Sequence, residues 1–154
     1  LPILSAWCGN KYFTDRDCVV IKHLTVETHG QGLYDITREL AATVSESGHE
    51  DGLCTLLVQH TSASLVIQEN ADPAVQHDLH NWLNRLVTEN DPLYTHNDEG
   101  PDDMPAHIQS VLTATSLGIP VINGRLTPGT WQGVYLWEHR HRGSTRHIVV
   151  HVSE

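Results

Sequence analysis

The residues best suited to chemistry lie between His60 and His107, where three histidines and several carboxylates stand at the ends of predicted helices and strands. Imidazole and carboxylate groups are costly to leave unpaired in a packed domain, so their concentration around loops indicates a metal or acid-base site. The segment HTSASLVIQEN begins at His60, and YTHNDEGPDDMPAHI contains His96, Asp103 and His107. We expect function to depend on these two segments.

His60, His96 and His107 form the predicted metal site. His60 follows a predicted strand, His96 lies in an acidic loop, and His107 lies in the first turn of the helix that follows this loop. Three imidazoles that converge suit zinc or a similar divalent cation, with a coordination position left open. The alternative for His96 and His107 is a pair of surface or hydrogen-bonded histidines.

Glu69 and Asp103 are the predicted catalytic carboxylates, because they lie close in sequence to these histidines. Either could bind the metal, orient one of its ligands or act as a general base. Helix capping is an equally good account of Asp103 and a better one of Asp72. Asn70 could orient a substrate or cap a turn.

A second candidate site is the glycine-rich segment NGRLTPGTWQG, from Asn123 to Gly133. Its backbone amides could approach an anionic ligand closely, and Arg125 could supply positive charge. A tight hairpin or bulge with Trp131 as a packed anchor is an equally good account. The segment is not a phosphate-binding loop of the usual type, because no Lys-Ser or Lys-Thr follows it.

The remaining histidines are predicted to be structural or exposed. His77 and His80 have the i, i+3 spacing that can place two imidazoles on one metal, but helical geometry turns His77 away from the apolar stripe and puts His80 on its flank. Alternation along the last strands puts His139 with His141, and His147 with His151, on common faces, where each pair could add ligands. Positions facing solvent or an interface are favoured for all four, because these pairs have no acidic loop of their own.

The elements that position these residues are predicted from periodicity and turn signals. Strands are expected over Val19–Thr28 and over 53–59, 64–68, 119–122, 134–139 and 147–152, the last two joined as a hairpin. Helices are expected after Asp35, after Asp72 and from Asp103, the last preceded by a long acidic loop from Glu89. The pattern indicates an α+β fold with mainly antiparallel strands and about three helices.

Composition limits the possible partners. The 154 residues are 39% hydrophobic and 18% charged, which is typical of one globular domain over residues 1–154. A net charge of -10 disfavours nucleic acid as a partner, because it repels the phosphate backbone. No long apolar run or basic signal start is present, so the sequence predicts a cytoplasmic protein without a membrane partner. Cys8, Cys18 and Cys54 fit neither a disulfide framework nor a thiolate zinc site.

Three segments resemble the YjbQ-like family. They are HTSASLVIQENADP from His60, DDMPAHI from Asp102 and NGRLTPGTWQGVYLWEHR from Asn123, within a resemblance that covers Cys54–Val152. The resemblance implies a compact α+β sandwich that assembles as a homotrimer, with a histidine-containing pocket near the subunit interfaces. It also implies a weak thiamine-phosphate synthase activity, which joins a pyrimidine diphosphate to a thiazole phosphate with loss of pyrophosphate.

The resemblance extends to individual positions of this chain. Those that match the family's motifs are His60, Glu69, Asn70, His96, Asp103, His107, Arg125, Gly129, Thr130, Trp131, Gln132 and Glu138. Among them, the histidines are the predicted metal ligands and the carboxylates Glu69 and Asp103 the predicted catalytic groups. The predicted substrate-binding residues are Asn70, Arg125, Gly129, Thr130 and Gln132.

Two functions of different classes are consistent with these residues. The first is a metal-dependent enzyme acting on a small phosphorylated or anionic metabolite, in which the metal polarises an oxygen or activates water. The second is a non-catalytic trimer that binds a metabolite or a metal in the same pocket. Imidazoles favour zinc, whereas a pyrophosphate-releasing side activity would normally use magnesium, which prefers oxygen ligands.

Overall fold

Two antiparallel sheets form the frame of the computed structural model, which describes residues 19–154. In chain order the elements are β1 (Val20–Glu27), β2 (Gly32–Asp35), α1 (Thr37–Ser47), β3 (Gly52–Val58), β4 (Ala63–Glu69), α2 (Pro73–Leu86), α3 (Asp103–Leu112), β5 (Ser116–Ile122), β6 (Arg125–Leu126), β7 (Gln132–Glu138) and β8 (Thr145–Ser153). The order of the five-stranded sheet is β1-β8-β3-β5-β6, and that of the three-stranded sheet is β2-β7-β4.

One buried cluster joins both sheets and α1. It contains Leu56 and Val150 from the five-stranded sheet, Leu65 and Leu136 from the three-stranded sheet, and Leu40 from α1. Alternation along each strand places these side chains between the layers. The prediction of an α+β fold with antiparallel strands and three helices is therefore confirmed.

The local signals predicted at the helix ends are present, except that Ile36 rather than Asp35 is the N-cap residue of α1. The Asp35 carboxylate accepts a hydrogen bond from the Thr37 amide at 2.8 Å, and α1 ends at Gly48 in the left-handed region, where glycine has no steric penalty. Asp72 accepts from the Ala74 amide at 2.9 Å, with Pro73 at the first helical position of α2.

The apolar stripe predicted on α2 is only partly buried. Leu83 packs inside, whereas Trp82 is 54% exposed and Leu86 is 56% exposed. Periodicity identified a helix with one apolar side, but it did not determine how far the rest of the domain covers that side.

The predicted hairpin between the last two strands is wrong. β7 is hydrogen-bonded to β2 on one edge and to β4 on the other, whereas β8 pairs with β1 and β3 in the other sheet. Both edges of β7 are therefore occupied, and the segment from Arg140 to Ser144 carries the chain from one sheet to the other. Turn-forming residues permit a tight reversal, but they do not specify which sheet receives the next strand.

Two further expectations concern the loop and the thiols. Residues 88–102 contain no helix or strand, as predicted for the acidic loop. Cys54 is a buried free thiol whose pKa is raised by burial to about 11, whereas Cys8 and Cys18 lie outside the described residues.

No helix within residues 19–154 has the length and hydropathy needed to cross a membrane.

Candidate functional site

His96, Asp103 and His107 meet at the beginning of α3. One ligand atom from each residue lies within 4.8 Å of the others. The Oδ2 atom of Asp103 is 2.7 Å from His96 Nε2 and 3.4 Å from His107 Nε2. Asp103 is 1% exposed, His107 is half-buried and His96 is exposed, so the cluster is anchored inside and open outside.

The helix and the loop before it explain why these three residues meet. Asp103 is the first residue of α3, and His107 follows one turn later on the same side of the helix. The acidic loop folds back so that His96 reaches the same carboxylate. The hydrogen bonds of the Asp103 carboxylate among the described residues are therefore to the side chains of His96 and Arg140, and the carboxylate does not cap the helix.

Arg140 holds this cluster from the side of β7. Its Nη1 atom donates to Asp103 Oδ1, its Nε atom donates to Asp102 Oδ2 at 3.1 Å, and its Nη2 atom donates to the Glu99 carbonyl at 2.8 Å. One planar guanidinium thus ties the start of α3 to the loop that carries His96. Arg140 was not among the predicted functional residues, because a single arginine after a strand has no distinctive spacing.

The neighbouring Asp102 is held as a carboxylate. Burial raises its pKa, but hydrogen bonds from the His141 amide and from Arg140 lower it more, so the pKa lies below its usual value. Asp102 consequently remains a charged partner for Arg140 near neutral pH.

Glu138 fixes the backbone next to Arg140. The Glu138 carboxylate is fully buried, accepts two hydrogen bonds from Arg146 and one from Thr28, and also accepts from the Arg140 amide at 3.0 Å. Burial raises its pKa, but the Arg146 hydrogen bonds lead the contributions that bring the pKa below its usual value. The family-matched position Glu138 is therefore a buried anchor behind the cluster.

The protonation of His107 bears directly on cation binding. Its Nδ1 atom is 3.0 Å from the Thr61 carbonyl oxygen, which can only accept, so Nδ1 carries the proton. In the neutral ring, Nε2 then presents a lone pair to Asp103 Oδ2 at 3.4 Å. Two acceptors at this distance repel each other unless a proton or a cation lies between them. The donor set and its arrangement therefore fit a divalent cation.

His60 lies beside this cluster but not within it. It lines a pocket of about 480 Å³ together with His107 and is exposed to that pocket. Its Nδ1 atom accepts a hydrogen bond from the Ser62 amide at 3.0 Å. Partial burial, followed by the positive charge of Arg146, lowers the pKa of His60. Asp103 takes the place in the three-residue group that was predicted for His60.

Most of the other predicted site residues lie at the opposite end of the three-stranded sheet. Ala63, near His60, pairs with Glu138, whereas Glu69 pairs with Gln132 six residues further along the strand. This separation corresponds to about 20 Å along a strand. Asn70 donates its amide to the Trp131 carbonyl at 3.0 Å. Gly129, Thr130 and Gln132 belong to the same end, where the Gln132 side chain accepts from the Gly129 amide.

Arg125 lies on another part of the surface. It belongs to β6, the edge strand of the five-stranded sheet, and lines a pocket of about 750 Å³ near the end of α1. Within one chain, Arg125 is therefore not part of the pocket that contains His60 and His107. Trp131 is 65% exposed, which does not support the alternative of a packed anchor.

The remaining histidines have separate environments. His77 and His80 bond to Asn81 and Asn84 on their own helix, rather than sharing a metal site. His139, which directly follows β7, is 2% exposed within one chain, contrary to the expectation of a residue facing solvent or an interface. Its Nε2 atom is 2.8 Å from Ser64 Oγ, and burial lowers its pKa to about 4.

Comparisons with known proteins identify relatives over most of the chain. A UPF0047 protein of Synechocystis is 55% identical over 130 residues, which are 84% of this chain and 88% of that protein. The UPF0047 protein YjbQ of Escherichia coli O157:H7 is 44% identical over 129 residues, which are 83% of this chain and 93% of that protein.

Solved structures share the fold. A YbjQ-like protein of unknown function from Sulfolobus solfataricus has a TM-score of 0.81 and 28% identity, covering 89% of this chain and 99% of that chain. A conserved hypothetical protein from Thermus thermophilus has a TM-score of 0.74 and 38% identity, covering 83% and 97% of the two chains. The family model described as UPF0047 protein YjbQ-like matches residues 22–154, and the chain therefore belongs to this family.

Proposed function

We propose that this protein is a divalent-metal-dependent enzyme that acts on a small phosphorylated or otherwise anionic metabolite. The cation is held by His96, His107 and Asp103. The observation that carries the proposal is the approach of His107 Nε2 to Asp103 Oδ2 at 3.4 Å, with the proton of His107 directed to the Thr61 carbonyl. Such a pair of facing acceptors is stabilised by a cation between them.

Two imidazoles and one carboxylate favour zinc over magnesium, because magnesium prefers oxygen ligands. Arg140 occupies Oδ1 of Asp103, so Oδ2 is the oxygen that faces the histidines. A cation held here would act as a Lewis acid or lower the pKa of bound water. Asp103 would have to leave its hydrogen bond with His96 Nε2 when the cation replaces the shared proton.

The pocket next to these histidines needs an additional source of positive charge to bind an anionic ligand. The described residues that line it include no Lys or Arg. A phosphate group in the pocket therefore requires the charge of the cation or residues from a second copy of the chain. Glu69, Asn70, Arg125, Gly129, Thr130 and Gln132 remain proposed contributors through a second copy, since about 20 Å of strand separates Glu69 from the His60 end of β4.

A homotrimer is the assembly that we propose. Every second residue on β1 is exposed, and the same face of the five-stranded sheet carries Ile21, Leu53 and Leu57. The register places Leu57 beside Val149 of β8, so apolar side chains adjoin across the face. Exposed apolar patches of this kind are typical of protein interfaces.

Thiamine-phosphate synthesis is the reaction that we propose as a weak activity. The thiazole nitrogen forms a bond to the pyrimidine methylene carbon, while the bond from that carbon to the diphosphate oxygen breaks and pyrophosphate leaves. A cation held by His96, Asp103 and His107 would supply positive charge that favours the departing anion.

The metal proposal is tested by elemental analysis of protein purified without a nickel column. We expect one zinc per chain in the wild type and in His77→Ala, an exposed histidine on α2 that serves as the control. His107→Ala and His96→Ala should lose the metal and the synthase turnover together. Full metal content with unchanged turnover in His107→Ala would remove the proposal. Metal binding without turnover of any phosphorylated metabolite would favour the non-catalytic alternative.

Assembly is tested separately by light scattering after size-exclusion chromatography. The wild type should have three times the chain mass, whereas Leu57→Arg on the exposed sheet face should dissociate into monomers. Ala42→Arg on the exposed side of α1, away from the pocket that Arg125 lines, is the matched control and should remain trimeric. A monomeric wild type would exclude both the trimer and a site shared between copies.

A further inference from the structure

The hydrogen bond at His60 determines which ring nitrogen carries the proton. The Ser62 amide can only donate, and it reaches His60 Nδ1 at 3.0 Å. Nδ1 therefore contributes a lone pair, and in the neutral imidazole the proton is on Nε2. This tautomer is opposite to that of His107, whose Nδ1 donates to the Thr61 carbonyl.

The ring of His60 is suited to remain neutral. Partial burial and the positive charge of Arg146 lower its pKa, and His107 and Arg140 act in the same direction against the opposing effect of Glu138. A neutral ring with its proton on Nε2 and its other lone pair engaged by Ser62 has no free lone pair for a cation. His60 in this orientation is therefore a hydrogen-bond donor.

The pocket that His60 lines could hold a ligand within reach of this donor. His60 and His107 share the pocket with the hydroxyl side chains of Thr61, Ser110, Thr113 and Thr115. The Ser110 hydroxyl already donates to the Ala63 carbonyl, and that of Thr113 donates to the Gln109 carbonyl. The lining side chains that contain nitrogen are His60 and His107. Because the N–H of His107 is directed to the Thr61 carbonyl, the N–H of His60 is the nitrogen donor that is free to meet a ligand.

We propose that His60 donates a hydrogen bond from Nε2 to a phosphoryl oxygen of the ligand at the His96–Asp103–His107 centre, rather than serving as a third imidazole ligand of the cation. The inference rests on the proposed function for the identity of that centre. A neutral donor stabilises negative charge on the ligand without giving up its proton, and its orientation by Ser62 requires no rearrangement on binding. His60 is then a specificity residue for oxyanions.

The tautomer is tested first by long-range ¹H–¹⁵N NMR of the metal-free protein labelled in histidine. The resonances of His60 are assigned by their loss in His60→Gln. We expect the Nε2-protonated tautomer at His60 and the Nδ1-protonated tautomer at His107. A His60 ring protonated on Nδ1, or on both nitrogens at pH 7, would contradict the inference whatever the state of the metal site.

The role is tested by two titrations with wild type, His60→Ala and His60→Gln. Zinc should bind all three proteins at one site with affinities within about threefold of each other, because His60 is not a zinc ligand. Loss of zinc binding in His60→Gln would show that His60 is a zinc ligand. Inorganic pyrophosphate should then bind the zinc-loaded His60→Ala protein at least about tenfold more weakly than wild type, the size expected for a hydrogen bond to a charged acceptor. His60→Gln, whose Nε2 can occupy the position of the imidazole Nε2, should recover part of this loss.

Failure of this inference differs from failure of the proposed function. If the wild type does not bind zinc, the metal centre is refuted, and the pyrophosphate titration is repeated on the metal-free proteins. Weaker binding in His60→Ala would still support a donor role. Equal pyrophosphate affinity in the three proteins, or no binding to any of them, would overturn it.

Discussion

Glu138 and Arg146 form a two-point ion pair that joins the two sheets. Arg146 on β8 donates from Nε and Nη2 to the two carboxylate oxygens of Glu138 on β7, at 2.6 and 2.7 Å. Both side chains are buried. Because Glu138 also accepts from the Arg140 amide, the same carboxylate connects the packing of the sheets to the arginine that holds Asp103.

The first prediction concerns this pair. Arg146→Met should lower the free energy of unfolding by about 3–5 kcal/mol, because it leaves the Glu138 carboxylate buried without its main partner. The double variant with Glu138→Leu should cost less than Arg146→Met alone, since no unpaired charge remains. Urea denaturation of the two proteins measures the difference. A loss below about 1 kcal/mol in the single variant would show that Thr28 and the Arg140 amide suffice for Glu138.

The second prediction concerns Arg140 and metal affinity. Arg140→Met frees both Asp103 and the Glu99 carbonyl, which lies on the loop that carries His96. We expect zinc affinity to fall about tenfold or more, as for other groups that orient metal ligands. Arg142→Met, an exposed arginine in the same connection, is the matched control and should bind zinc as the wild type does. Tighter binding in Arg140→Met would mean that removal of its positive charge outweighs the loss of orientation.

The third prediction is a pH dependence from His139. The pKa of His139 is about 4 in the folded chain, against 6.5 for an ordinary histidine. Between these values the unfolded chain binds a proton that the folded chain does not. Stability is therefore complete above about pH 6.5 and decreases as the pH falls towards 4, with a loss of about 2 kcal/mol from pH 7 to pH 5.

Urea denaturation at the two pH values measures this loss. His139→Gln, which retains a polar partner for Ser64, should be less sensitive to pH by that amount. His23→Gln, on the exposed face of β1, should leave the sensitivity unchanged. An identical pH response in His139→Gln and the wild type would exclude His139 as the source.

The fourth prediction tests the crossing between the sheets. A Cβ atom at Gly143 would lie 2.0 Å from the Thr28 carbonyl oxygen, which is backbone and cannot move aside cheaply. Gly143→Ala should therefore lower the melting temperature strongly, by about 4 °C or more if the cost exceeds 2 kcal/mol. Gly118→Ala, whose added Cβ would make ordinary contact with Leu53, should change it little. Equal melting temperatures for the two variants would contradict the close approach at Gly143.

Much of the local structure follows from the amino-acid sequence. The ends of α1 and α2 were predictable because Asp35, Asp72 and Gly48 act on backbone groups within a few residues of themselves. Six of the eight strands within residues 19–154 were predicted from local apolar runs and β-branched residues, whereas the short strands β2 and β6 were not, because their residues read as turn or loop. His96 and His107 were also identified as a pair that could converge, since only one loop and one helical turn separate them.

Only the tertiary structure decided how these elements combine. It assigned β7 and β8 to different sheets, placed Arg140 against Asp103, and put Glu69 and Gln132 at the far end of the sheet from His60. Such distances depend on strand pairing and register, which are determined by packing across the whole core. Residue types and spacing along the chain therefore identified the reactive groups, whereas the pairing of the strands determined which of them share a site.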